Sequence, residues 1–175
     1  MSVRFEQHSS KEYPPRTLYN VKHSHATLSI NHDPSSAGAR LVRKLVAEYD
    51  RPHFESAYDV YFLESASHFL DRIDAPEIVL NVAGNGIGSF LEHGWSQFHV
   101  DDSIYELLSA VLPSSRVKTV RTGGQTGVDE AAAKSALRLG LEVVVTYPHG
   151  YRIRDETGKD VFGADNTRRI ASTLP

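Results

Sequence analysis

The sequence predicts an α/β fold, a three-layer sandwich with helices on both faces of a mainly parallel central sheet of about five strands. Three observations carry this prediction. Short β-prone runs alternate along the chain with stretches whose apolar residues recur at helical spacing. Two of those runs lead straight into Gly-rich segments, Gly84 to Gly88 and Gly123 to Gly127, as strands do when they turn into a ligand-facing loop. The chain has 175 residues, 40% of them hydrophobic and 23% charged, which suits one globular domain with a proper core.

The elements follow in order. Residues 1–15 read as a flexible N-terminal arm, leaving residues 16–175 as a single ligand-binding domain, and Pro14-Pro15 predicts an extended segment after the arm. Ala26 to Ile30 is a β-prone run ending in Asn31-His32-Asp33-Pro34-Ser35-Ser36, a turn rich in helix N-cap residues. Leu41, Val42, Leu45, Val46 and Tyr49 mark a helix from Ala37 to Tyr49, stopped by Arg51-Pro52. A second strand is expected over His53 to Tyr58, and a helix over residues 59–75 with Phe62, Ala66, Phe69, Leu70 and Ile73 on one face. Glu77 to Ala83 reads as a buried strand. Residues 101–112 are amphipathic through Ile104, Leu107, Leu108 and Val111. Val117 to Arg121 is another strand, Val128 to Leu139 an Ala-rich helix closed by Gly140, and Leu141 to Thr146 the most apolar strand, ended by Pro148. From Tyr151 on, the chain reads as polar loop with a short helix near Asn166 to Ser172.

Composition excludes several function classes. A net charge of -3 argues against broad coverage of nucleic acid, which needs clustered cations. The absence of cysteine excludes disulfides, thiolate nucleophiles and Cys-ligated zinc. The nine histidines form no HExxH or comparable pattern, so no metal site is expected. No apolar run approaches the length of a membrane span or a signal peptide, so the protein is expected to be cytoplasmic, with no membrane partner.

The chemistry is expected in four loops. In Gly123-Gly124-Gln125-Thr126-Gly127-Val128-Asp129 a strand leads in and a helix leads out. Glycines admit an anion close to backbone N–H groups, and the helix start adds free donors and partial positive charge. Thr126 offers a hydroxyl, and Asp129 a cap or a contact to a ribose hydroxyl or a metal-bound water. The loop is neither a dinucleotide fingerprint nor a Walker loop, since GxGxxG and a following Lys are both missing. Gly84, Asn85 and Gly86 form a second Gly-rich loop that would face the first across a cleft. Asp33 to Gly38, with Ser36 and Gly38, forms a third. In the fourth, Tyr147 to Asp155, His149, Arg152 and Arg154 are candidate cationic donors to a phosphate. Gly124→Asp is expected to abolish anion binding with the fold mostly intact.

The GGQTGVD segment, the Ala-rich helix, Leu139-Gly140-Leu141 and the Pro148-His149-Gly150 turn together resemble the molybdenum cofactor carrier family. That family is similar to a wider Rossmann-like group (SLOG/LOG-like) that includes the lysine-decarboxylase-like phosphoribohydrolases. In the family, segments like Arg16 to Leu28 and Leu80 to Gly84 follow the Gly-rich half, whereas here they precede it. The chain therefore looks like a circular permutant, over most of residues 16–160. The resemblance implies a Rossmann-like fold and a ligand cleft lined by Gly123, Gly124, Gln125, Thr126, Gly127 and Asp129. Gly84 and Asn85 would lie opposite, with Thr27 and Ser36 to Gly38 nearby. The ligand it implies is nucleotide-like, or the molybdenum cofactor itself. Where the family has Cys-Pro-Lys-Gly, this chain has Tyr147-Pro148-His149-Gly150, and the PGGxGTxxE motif of the phosphoribohydrolases is absent.

Two functions follow. One is a carrier or sensor that binds a phosphate-bearing small molecule, nucleotide-like or pterin-like. The other is a nucleotide-processing hydrolase, an N-glycosidase for example, with Asp129 or Glu130 as acid or base. Self-association into a homo-oligomer through residues 90–105 or the helix at 101–112 is a further expectation.

Overall fold

The computed structural model describes residues 2–57 and 62–173. The ends of two expected elements, Tyr58 of a strand and residues 59–61 of a helix, lie outside the described residues.

Six strands form one all-parallel sheet: β1 (Ser2–Gln7), β2 (Ala26–Ile30), β3 (His53–Ser56), β4 (Ile78–Gly84), β5 (Val117–Thr122) and β6 (Glu142–Tyr147), in the order β1-β6-β5-β4-β2-β3. A parallel neighbour demands a crossover, and the helices supply it. They are α1 (Tyr13–Lys22), α2 (Ala37–Glu48), α3 (Phe62–Asp71), the single-turn α4 (Gly88–Leu91) with α5 (Gln97–Val111), and α6 (Val128–Arg138); α7 (Arg168–Ala171) follows the sheet's last strand.

Handedness sorts the layers. The steps β1 to β2 and β2 to β3 run across the sheet in one direction; β3 to β4, β4 to β5 and β5 to β6 run in the other. Right-handed crossovers then place α1 and α2 on one face and α3, α5 and α6 on the opposite face. The buried side chains agree. Val21, Val42, Leu45 and Val46 pack together beneath α1 and α2. A larger core on the other side joins Ile104, Leu108, Ala132, Ala136 and Leu137 to Leu80, Val120 and Val143. Each large apolar side chain so buried contributes about 1.5–3 kcal/mol. The result is the Rossmann-like three-layer sandwich that the alternation of elements predicts.

The structure corrects four readings. Residues 2–7, expected as part of a flexible arm, are edge strand β1, paired in parallel with β6 from Ser2 opposite Glu142 to Gln7 opposite Tyr147. The sheet thus has six strands. Pro14 and Pro15 do not extend the chain; they open α1, where a missing N–H costs nothing and the fixed φ suits the helix. The amphipathic stretch at 101–112 belongs to a longer helix, α5, capped by Ser96 and His99, which satisfy each other's backbone N–H groups. His at this position takes the place of the usual Glu or Gln. The polar tail holds a small hairpin, β7 (Ile153–Arg154) with β8 (Asp160–Val161), before a 3-10 turn and α7. Among the described residues, no helix is long and apolar enough to cross a membrane.

Candidate functional site

The direction of chain progression reverses between β2 and β4, so the loops after these neighbouring strands leave toward opposite faces. A cavity of about 310 Å³ opens beside this point, at the carboxyl ends of the strands. Its walls come from the start of α2 (Ala37, Gly38), the end of β4 (Ala83, Gly84, Gly86), one face of α1 (Tyr13, Arg16, Thr17) and the loop after β5 (Gln125, Asp129). Leu41 and Val42 give it an apolar side, and Arg154 stands at its edge.

The start of α2 forms one corner of the cavity. Ser36 caps the helix by accepting from Ala39 N at 3.2 Å, and Ala37 and Gly38 of the following turn, where helix N–H groups lack intrahelical partners, line the cavity. Asn85 braces this corner. Its Oδ1 accepts from Asp33 N at 2.6 Å, and its Nδ2 donates to Asp33 O and to Ser36 Oγ at 3.0 and 2.9 Å.

Arg16 faces the same space from α1. Its side chain is only 8% exposed; Nη1 donates to Asp129 Oδ2 at 3.0 Å, while buried Nε has no hydrogen-bond partner among the described residues. A guanidinium buried with an orphaned donor is expensive unless something else meets it. Burial pushes the Asp129 carboxyl up, against the pull of Arg16 and of the Gly84 and Gln125 backbone N–H groups.

The two Gly-rich loops do meet, but by clasping each other. Gly86 and Gly127 form an antiparallel bridge; Ile87 N donates to Thr126 O and Val128 N to Asn85 O. Gln97 locks the clasp from α5, accepting from Gly127 N at 2.6 Å and donating to Gly127 O at 3.1 Å.

Of the residues singled out from the sequence, Gly38, Gly84, Gly86, Gln125 and Asp129 line the cavity. Gly123 lies behind the Arg16–Asp129 pair, where a Cβ would overlap Arg16 Nη1. Gly124 faces inward: with φ at +69°, its Cβ would stand 2.6 Å from the Tyr147 ring. The expectation that Gly124→Asp spares the fold is therefore overturned. Thr126 gives its hydroxyl hydrogen to Arg154 O, and Gly127 is closed off by Asn85 to Ile87. Thr27 is buried within the sheet and accepts from Asn81 Nδ2. His149 donates its backbone N–H to Ser10 O. Arg152 is committed to Asp160 at 2.6 Å and to Lys11 O at 2.8 Å. Glu130 is also turned away, with one carboxylate oxygen on Lys134 at 2.7 Å and the other on Arg169 at 2.8 Å.

Tyr13, Arg16 and Thr17 are cavity residues that the sequence analysis does not single out, because Pro14-Pro15 reads as setting an extended segment. The helical spacing of Tyr13, Arg16 and Thr17 around the Pro14-Pro15 pair is the signal that finds them. Among the described residues, no group of three or more His, Asp or Glu is placed to hold a metal ion.

No protein-family model matches the chain, and no curated protein or solved structure matches it either.

Proposed function

We propose that this chain binds a phosphate-bearing small molecule, nucleotide-like or pterin-like, in the switch-point cavity, as a carrier or sensor. The observation that carries the reading is Arg16, a cation on the wall of a cavity that also holds the α2 N-terminus. Gly38 and Gly86 leave that wall open, Gly84 lets β4 pack against Ile30 and Val128, and Leu41, Val42 and Tyr13 offer apolar surface for a ring. The Tyr147 to Gly150 segment, which departs from the carrier family's Cys-Pro-Lys-Gly, is not part of the cavity lining.

The test is thermal stability against nucleotides, nucleotide sugars and molybdenum cofactor. A ligand at about 100 times its dissociation constant stabilises by roughly 2.7 kcal/mol, and Tm rises by about 5–10 °C. No shift with any of these ligands overturns the reading.

One observation favours a second reading, a nucleotide hydrolase. Asp129 is a cavity carboxyl that burial pushes up, as suits a general acid. Glu130, with both oxygens in ion pairs, has no such role. Release of free base from nucleoside monophosphates, lost in Asp129→Asn, is the result this reading requires.

A further inference from the structure

A second chamber of about 240 Å³ adjoins the first, and the two share Gly86, Gln125 and Arg154. These three residues form a saddle between them. The backbone of Arg154 is fastened there by the β5–α6 loop. Gln125 Nε2 donates to Arg154 O at 3.2 Å, Arg154 N donates to Gln125 Oε1 at 3.2 Å, and Thr126 Oγ1 donates to the same carbonyl. Two side chains that read from sequence as ligand donors are thus spent on holding one residue at the cavity mouth.

The Arg154 side chain is 53% exposed; among the described residues its ion pair is a long one, Nε to Asp160 at 3.4 Å, and its guanidinium lies 5.9 Å from the centre of the Tyr13 ring. Asp160 does not depend on it, because Arg152 at 2.6 Å and the Tyr13 hydroxyl at 3.0 Å already hold that carboxylate. The acidic residues of the second chamber are likewise engaged: Asp155 accepts from Thr157 and Lys159, and Glu156 pairs with Arg169 at 3.0 Å.

Resting on the proposed phosphate site, we infer that the ligand carries a second anionic group, as in a diphosphate, and that Arg154 grips it at the saddle. One anion meets Arg16 and the α2 N-terminus. The next lies over Gly86, within reach of the Arg154 guanidinium, and whatever extends beyond it enters the second chamber. Gln125 and Thr126 are positioning residues.

Isothermal titration of nucleoside monophosphates and the matching diphosphates into wild type and Arg154→Gln tests this. A charge-assisted bond predicts that wild type prefers the diphosphate by about tenfold or more. Arg154→Gln should erase that preference and leave monophosphate affinity within about twofold. Equal affinities in wild type, or an equal loss of both ligands in Arg154→Gln, overturns the inference while monophosphate binding keeps the phosphate site standing. Binding of neither ligand overturns both.

Discussion

At the scale of single residues, Gly38 and Gly124 show how differently two glycines near one cavity behave. Gly38 has nothing within 4 Å of where a Cβ would stand, and it lies in the first turn of α2 on the cavity wall. Gly38→Asp puts a carboxylate where the ligand's anion belongs. The same charge suits a helix start, so stability should hold or rise by up to about 1 kcal/mol. Calorimetry should show ligand binding lost with Tm maintained. Gly124→Ala should do the reverse, because its left-handed φ and the Tyr147 ring both reject a methyl group. The expected cost is about 2–4 kcal/mol, or roughly 4–16 °C in Tm. Glycine density in GGQTG was legible in the sequence. Which glycine faces a ligand and which faces a buried ring was not, because both duties select the same residue. His53 supports a third prediction. Burial lowers the affinity of its imidazole for protons, and its Nε2 lies 3.0 Å from Ser29 Oγ. As pH falls through the unfolded value near 6.5, the unfolded chain takes up a proton that the folded chain resists, so stability is lost on acidification. Thermal melts at pH 7.5 and 5.5 should show a smaller loss in His53→Gln than in wild type.

At the scale of elements, β1 was hidden by its own composition. Ser2–Gln7 alternates Val3 and Phe5 with Arg4 and Glu6, a period of two that suits a half-covered edge strand. So few apolar residues near a polar stretch also look like a tail. Its function is to cover β6: Phe5 and Val3 pack against the main core, and Glu6 pairs with buried Arg121 at 3.2 Å. Removing residues 1–8 should strip both away. Size-exclusion chromatography should detect association through the uncovered β6 edge, and Tm should fall. The central strands were far easier to read, because β4 and β6 are buried on both faces and therefore appear as continuous apolar runs. The β7–β8 hairpin has only two residues per strand, too short to leave a periodic signal.

At the scale of the whole molecule, alternation of strands and helices was enough to predict a layered parallel sheet, and right-handed crossovers then assign each helix to a face. Strand order was not legible. It depends on which strand pairs with which across long separations, and that is decided by packing between distant segments. The cavity follows from that order: it exists because β2 and β4 are neighbours whose loops part. The clasp between the Gly-rich loops should make this rim one of the last regions to open. Native-state hydrogen exchange should find the Ile87 and Val128 amides among the slowest, and residues 155–158 of the hairpin among the fastest.

The pairing of Ser2 with Glu142 has a consequence for how the chain is made. A ribosome adding about 5–20 residues per second delivers the partner of the first strand only about 7–30 s after the strand itself. Within that interval β2, β3 and β4 are already made, while Val3 and Phe5 have no β6 to pair beside. Long-range parallel pairing of this kind is slow even in a complete chain. Of the six strands β1 is therefore made before the others and docks last, and a nascent chain stalled before residue 142 should leave residues 2–7 open to protease.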